Sequence, residues 1–162
     1  MLTVLLHIYE FFCKKNHNKE NKNKQKMEIE EKTVKTLAIE FLEKWDIKYT
    51  IERYESVEFI IFKYQGGQFF IEFCKDAPYY YRLVMPFIYK IDNDRIKVLE
   101  AMVNLMGVIS YTKAFLMHDE VYLIIESNIE PNSNIDFFEN KIRCDSVQLF
   151  KSQRKFMELL KE

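Results

Sequence analysis

The chain has 162 residues, a formal charge of −1, and 48% hydrophobic against 30% charged residues, which fits one domain able to bury a sizeable core. The near-neutral balance excludes whole-molecule attraction to DNA, RNA or an anionic membrane, and only 3 Gly and 3 Pro exclude a loop-rich or disordered chain. The cysteines Cys13, Cys74 and Cys144 are odd in number and irregularly spaced, which excludes a disulfide framework and a zinc ribbon and points to a reducing cytoplasm.

Residues 1–26 stand apart from the rest. MLTVLLHIYEFFCKK opens with an apolar run far short of the ~20 residues of a membrane span, and KKNHNKENKNKQK follows as a Lys/Asn tract. The run is a poor signal peptide: no basic segment precedes it, His7 and Glu10 interrupt it, and no small-residue cleavage site follows. Six Lys and two Glu give this segment +4, leaving −5 of the chain's −1 on residues 27–162. Three readings stay open: a flexible basic tail, a weak amphipathic anchor, or an untranslated leader with the true start at Met27. None predicts packed structure there, so residues 1–26 are expected to be a disordered or mis-assigned leader, and residues 27–162 a single domain.

From Glu28 to about Asp46, Val34, Leu37, Ala38, Phe41, Leu42 and Trp45 recur at three- and four-residue spacing, which predicts an amphipathic helix with Trp45 in the core. Strands follow near 48–54, 57–65 and 68–74. A two-residue Gly66-Gly67 turn between the last two sets Tyr64 opposite Phe69, Phe62 opposite Ile71 and Ile60 opposite Phe73, a wholly apolar face. The other face pairs Lys63 with Phe70 and Ile61 with Glu72, beside Phe59. YYYRLVMPFIYKI reads as a longer strand whose odd positions, Tyr79 to Tyr89, form one apolar row, with Tyr80 opposite. Pro86 lacks an N–H and demands an edge or a bulge.

Asp92-Asn93-Asp94 then predicts a capped helix over about 93–107 with Ile96, Leu99, Val103 and Met106 as its stripe and Gly107 as its end. Strands at 109–117 and 120–127 turn at His118-Asp119. They place Ala114 and Leu116 with Val121 and Leu123 on the core side, and Phe115 with Tyr122 and Lys113 with Ile124 outside. Ser133 is expected to cap a last helix to about 160, with a break near Asp145-Ser146. The order is helix, three or four strands, helix, two strands, helix: an α+β fold with a mainly antiparallel sheet.

Chemistry-bearing residues do not converge. His7 and His17 lie in the leader, and His118 sits in a turn with Asp119 and Glu120 but no second cluster to complete a metal site. Cys74 and Cys144 have no nearby histidine to activate them. Gly66-Gly67 lacks the spacing and following helix of a phosphate loop, and Asp92 and Asp94 read as caps. The expectation is no enzyme, no cofactor, no metal and no nucleic-acid or membrane partner.

The element order and its apolar pattern resemble the type III secretion chaperone-like fold, and within it the bacterial sensory transduction regulator family. The stretches that carry this are FLEKWDIKY (41–49), IIFKYQGGQFFIEF (60–73), YYYRLVMPFIYKID (79–92), VLEAMVNLMGVISYTKAFL (98–116) and VYLIIES (121–127). The resemblance implies the order α-β-β-β-α-β-β-α and a non-enzymatic, chaperone-like or regulatory protein, often homodimeric, that holds a polypeptide client on sheet and helix surfaces. The greasy second face of the strands agrees with that implication. Phe59, Ile61, Phe70, Phe115, Tyr122 and Ile124 would be its partner-binding residues, covered by a second subunit or a client. The alternative cover is the C-terminal helix, and the alternative function a small-molecule sensor with an aromatic-lined pocket.

Overall fold

The computed structural model describes residues 32–54, 57–74 and 76–161. The expected 1–26 leader and the start of the first helix at Glu28 lie outside them. Among these residues, three helices and six strands follow in the order α1 (Val34–Lys44), β1 (Tyr49–Tyr54), β2 (Val57–Tyr64), β3 (Gly67–Cys74), β4 (Ala77–Lys90), α2 (Arg95–Val108), β5 (Lys113–Met117), β6 (Glu120–Asn128) and α3 (Ile135–Leu159). The strands form one sheet ordered β1-β2-β3-β4-β6-β5, with every neighbouring pair antiparallel. The α+β class and the mainly antiparallel sheet stand as expected, with a fourth strand before α2.

The three described helices lie on one side of the sheet. Val34, Leu37, Ala38, Phe41 and Leu42 of α1 join Ile60, Phe62, Phe69, Ile71, Tyr81 and Leu83 of the strands, together with Phe138, Ile142, Leu149 and Phe156 of α3, in a single core. Aromatic edges lock it: Phe138 meets Phe41 and Tyr81 edge-on, with centroids 6.5 and 5.8 Å apart. The stripe predicted for α1 is therefore its buried face, except at Trp45. That residue is the C-cap, and it lies on the surface under the Arg143 guanidinium, 4.9 Å from the ring centroid.

The β2–β3 turn falls one residue earlier than the Gly-Gly pair suggests. Gln65 and Gly66 take φ of 49° and 82° and form the loop, so Tyr64 pairs with Gly67, Phe62 with Phe69 and Ile60 with Ile71. The register differs from the expected one by two residues, and an even slip leaves every side chain on its face. Gly67 has a different task. A Cβ there would stand 2.8 Å from the Phe150 ring of α3 and 3.0 Å from Phe69. Gly67→Ala is expected to cost about 1–2 kcal/mol in urea unfolding, because the Phe150 ring must move out of contact with Phe69.

Pro86 sits in a central strand, between β3 and β6, and the chain takes the bulge option. The β4–β6 register shifts between Met85 and Tyr89, and Phe87 adopts φ 55°. This breaks the expected odd row. Tyr81, Leu83 and Met85 stay in the helix-side core, whereas the Phe87 ring lies against Tyr122 on the opposite side, 5.4 Å between centroids.

The last helix also differs from expectation. Asn134, not Ser133, caps it, accepting from the Phe137 N–H at 2.9 Å, and it runs unbroken through Asp145-Ser146. Both residues are buried. The Ser146 hydroxyl donates to Ile142 O at 2.7 Å, and Asp145 accepts from the Tyr81 and Ser127 hydroxyls at 2.8 and 3.2 Å. Of the two residues that look like a helix break, Asp145 is thus held by partners from β4 and β6, and Ser146 by the preceding turn of its own helix.

Candidate functional site

Two apolar surfaces are left after the core is built. The first is the sheet face away from the helices. Alternation places Val57, Phe59, Phe70, Val84, Tyr122 and Ile124 there as one cluster, with Ile61, Phe115 and Met117 packed at its side. All six residues expected to bind a partner are therefore brought together. Phe115 pairs with Tyr122, as the hairpin turn at His118-Asp119 requires, while the two-residue register change pairs Ile61 with Phe70.

Their exposure is not that of a bare sheet face. Phe59 and Phe70 are 2% and 4% exposed, and Tyr122 and Ile124 are 1% each, while Ile61 and Phe115 are half-buried. No residue of the described helices belongs to this cluster. The C-terminal helix, the alternative cover, packs on the other side.

A charged ladder crosses the same face. Arg82 bonds Glu72 at 2.9 Å, and Lys113 bonds Glu126. Glu72 and Arg82 are each 5% exposed, and Oε2 of Glu72 has no hydrogen-bond partner. Burial pushes the Glu72 carboxyl up to about 7, with Glu126 adding to the rise and Arg82 opposing it. Burial likewise raises the Tyr122 phenol to about 12, aided by Glu120.

The second surface is on α2, and here the structure reverses the expectation. The buried stripe is Val98, Ala101, Met102 and Leu105. The predicted stripe faces outward: Ile96 is 71% exposed, Val103 64%, and Leu99 and Met106 41% each. Val108, the last residue of the helix, and Tyr111 beyond it are also exposed. The helix is apolar on two sides, so three- and four-residue spacing fits either row. Ala101, a small residue suited to close packing, was the available signal for the inner one. Gly107 does not end the helix, which continues to Val108.

The residues weighed for chemistry remain dispersed. His118 is exposed in its turn, Asp119 pairs with Arg95 at 2.5 Å, and Asp94 caps α2 by accepting from the Lys97 N–H at 3.2 Å. Cys144 is a free, exposed thiol on α3, and the Cys74 side chain lies outside the described residues. Among the described residues no three His, Cys, Asp or Glu side chains are grouped to hold a metal ion. The space between sheet and helices, where an aromatic-lined ligand pocket was conceivable, contains the fully buried rings of Phe41, Phe69, Tyr81, Phe138 and Phe156. No described helix is long and apolar enough to cross a membrane.

Comparison with protein-family models, with curated proteins and with solved structures finds no match to this chain.

Proposed function

We propose that this protein is a non-enzymatic, cytoplasmic protein-binding module, chaperone-like or regulatory, that works as a homodimer and holds a polypeptide client. The observation that carries the reading is the outward row on α2. Ile96, Leu99, Val103 and Met106 follow one another at three, four and three residues, the a-d-a-d spacing of a helix-pairing seam. β-branched residues at a and Leu and Met at d suit a two-helix contact. Water gains nothing from such a row, and a second copy crossing it isologously would bury all four side chains at once. The secretion chaperone-like resemblance supports the same reading, since it implies homodimers that use helix and sheet surfaces.

The test is light scattering coupled to size exclusion on the full chain across a concentration series. The wild type is expected to show a concentration-dependent dimer. Val103→Asp is expected to weaken it by roughly 100-fold or more, because the seam would bury an unpaired carboxylate. The monomer should keep its native circular dichroism, because Val103 is not part of the core. A wild type that is monomeric at every concentration would assign the row to a different polypeptide.

A further inference from the structure

The α2 row by itself is too small for the interface it is read as. Fully burying an aliphatic side chain takes roughly 100 Å² of apolar surface out of water. At exposures of 41–71%, the four row residues supply about 200 Å² per copy, against the ~500 Å² per partner that a stable dimer needs. Further surface has to join the row, and the fold shows what lies beside it. α2 packs on β5 and against α3, and α3 lies over β4 and β6. In the sheet order β4-β6-β5, the flank of α2 away from α3 therefore looks past the outer edge of β5.

That edge is unprotected. Natural sheets blunt their outer strands with charges, Pro or bulges. β1, the strand at the far edge, carries Glu52 and Arg53 within it and Lys48 before it. β5 is apolar without interruption from Ala114 to Met117, and Lys113 at its start is already bonded to Glu126. The backbone of β5 is set for pairing as well. His118 and Asp119 take φ of 47° and 61°, the primed two-residue turn whose flanking pair exchanges both ladder hydrogen bonds. Met117 and Glu120 are that pair. Bonded and non-bonded pairs alternate along an antiparallel ladder, so Phe115 also bonds to β6. Ala114 and Leu116 turn their N–H and C=O groups the other way, where among the described residues no strand lies.

We propose that a second copy pairs with this edge, β5 against β5 and antiparallel, so that the two sheets become one beneath the facing α2 rows. This rests on the homodimer reading and names the element that completes its interface. The edge is self-complementary. With the two-fold axis through Phe115, Ala114 of each copy faces Leu116 of the other, and each of these two pairs exchanges both hydrogen bonds. The Phe115 side chains meet across the axis as a non-bonded pair, whose Cα atoms stand about 4.5 Å apart, and cross-strand aromatic pairs stabilise a sheet. Four residues, 109–112, turn the chain from α2 into β5, so helix and strand run antiparallel and one axis serves both layers.

The experiment is residue-resolved amide hydrogen exchange of the full chain at a concentration where light scattering reports the dimer, with Val103→Asp as the comparison. The Ala114 and Leu116 amides are expected to exchange about 10-fold or more slowly in the wild type than in Val103→Asp. The Phe115 and Met117 amides, bonded to β6 in both, set the baseline. Leu116→Pro removes an edge donor that β6 does not use, a change an outer strand tolerates. It is expected to weaken the dimer by about 10-fold or more while native circular dichroism is kept. A dimer whose two amides exchange as fast as in Val103→Asp, or that Leu116→Pro leaves as tight, overturns this inference and leaves the homodimer reading standing. Equal protection in both proteins also overturns it, because the edge is then covered within one chain. A wild type that is monomeric at every concentration overturns the reading and this inference together.

Discussion

Asp145→Ala is expected to lower the unfolding free energy by about 3 kcal/mol, because its carboxylate is the junction between α3 and two strands. Oδ2 accepts from the Tyr81 hydroxyl at 2.8 Å and from Ser127 at 3.2 Å, and Lys141, one helical turn earlier, reaches both oxygens at 2.9 and 3.1 Å. Hydrogen bonds to a charged group contribute ~1.5–3 kcal/mol each, and a donor orphaned in the interior adds its desolvation cost. Tyr81 is fully buried, so its hydroxyl has no water to turn to. Burial and the adjacent carboxylate hold that phenol protonated well above its usual range. Two controls separate the contributions. Tyr81→Phe removes donor and bond together and should cost about 1.5 kcal/mol. Asp145→Asn keeps an acceptor oxygen and should fall between the two. Equilibrium urea unfolding reads all three, and an Asp145→Ala loss under about 1 kcal/mol would mean that water already enters the network.

Stability should also fall as pH rises from 5 to 8, by on the order of 3 kcal/mol, and Glu72→Gln should flatten that slope. Burial raises the folded-state value of Glu72 from 4.5 to about 7. Between these values the folded chain holds a proton that the unfolded chain has released, so unfolding is favoured as pH rises through the window and the effect saturates above 7. A difference near 2.5 units corresponds to on the order of 3 kcal/mol. The groups that face Glu72 are Arg82 on β4 and Glu126 on β6, the latter paired with Lys113 of β5. Glu58 works in the opposite direction. The hydrogen bond from Lys35 of α1, then that from Arg53, holds its carboxyl below 4.5 against the pull of burial, so its stabilisation is present above 4.5 and is lost only as pH falls below it. The two windows do not overlap, and urea unfolding at pH 5 and 8 isolates Glu72. A wild type as stable at pH 8 as at pH 5 would show that its carboxyl ionises at the ordinary value.

Period-two alternation and the stripe of α1 are local properties, and they determined the α+β class, the buried face of α1 from Val34 to Leu42 and the membership of the outer face from the residues alone. Even the misplaced hairpin turn left Phe59, Ile61 and Phe70 on one face, because a slip of two preserves the pleat. Tertiary structure decided the rest. Both sides of α2 are apolar, so only its docking on the sheet and α3 could choose Val98, Ala101, Met102 and Leu105 over the row that stays outside. Pro86 announced a bulge, but not that Phe87 would turn toward Tyr122. Asp145 looked like a helix break because Tyr81, its partner, lies 64 positions away. Spacing along a chain records which faces are apolar, whereas contacts between distant segments decide which of those faces water never reaches.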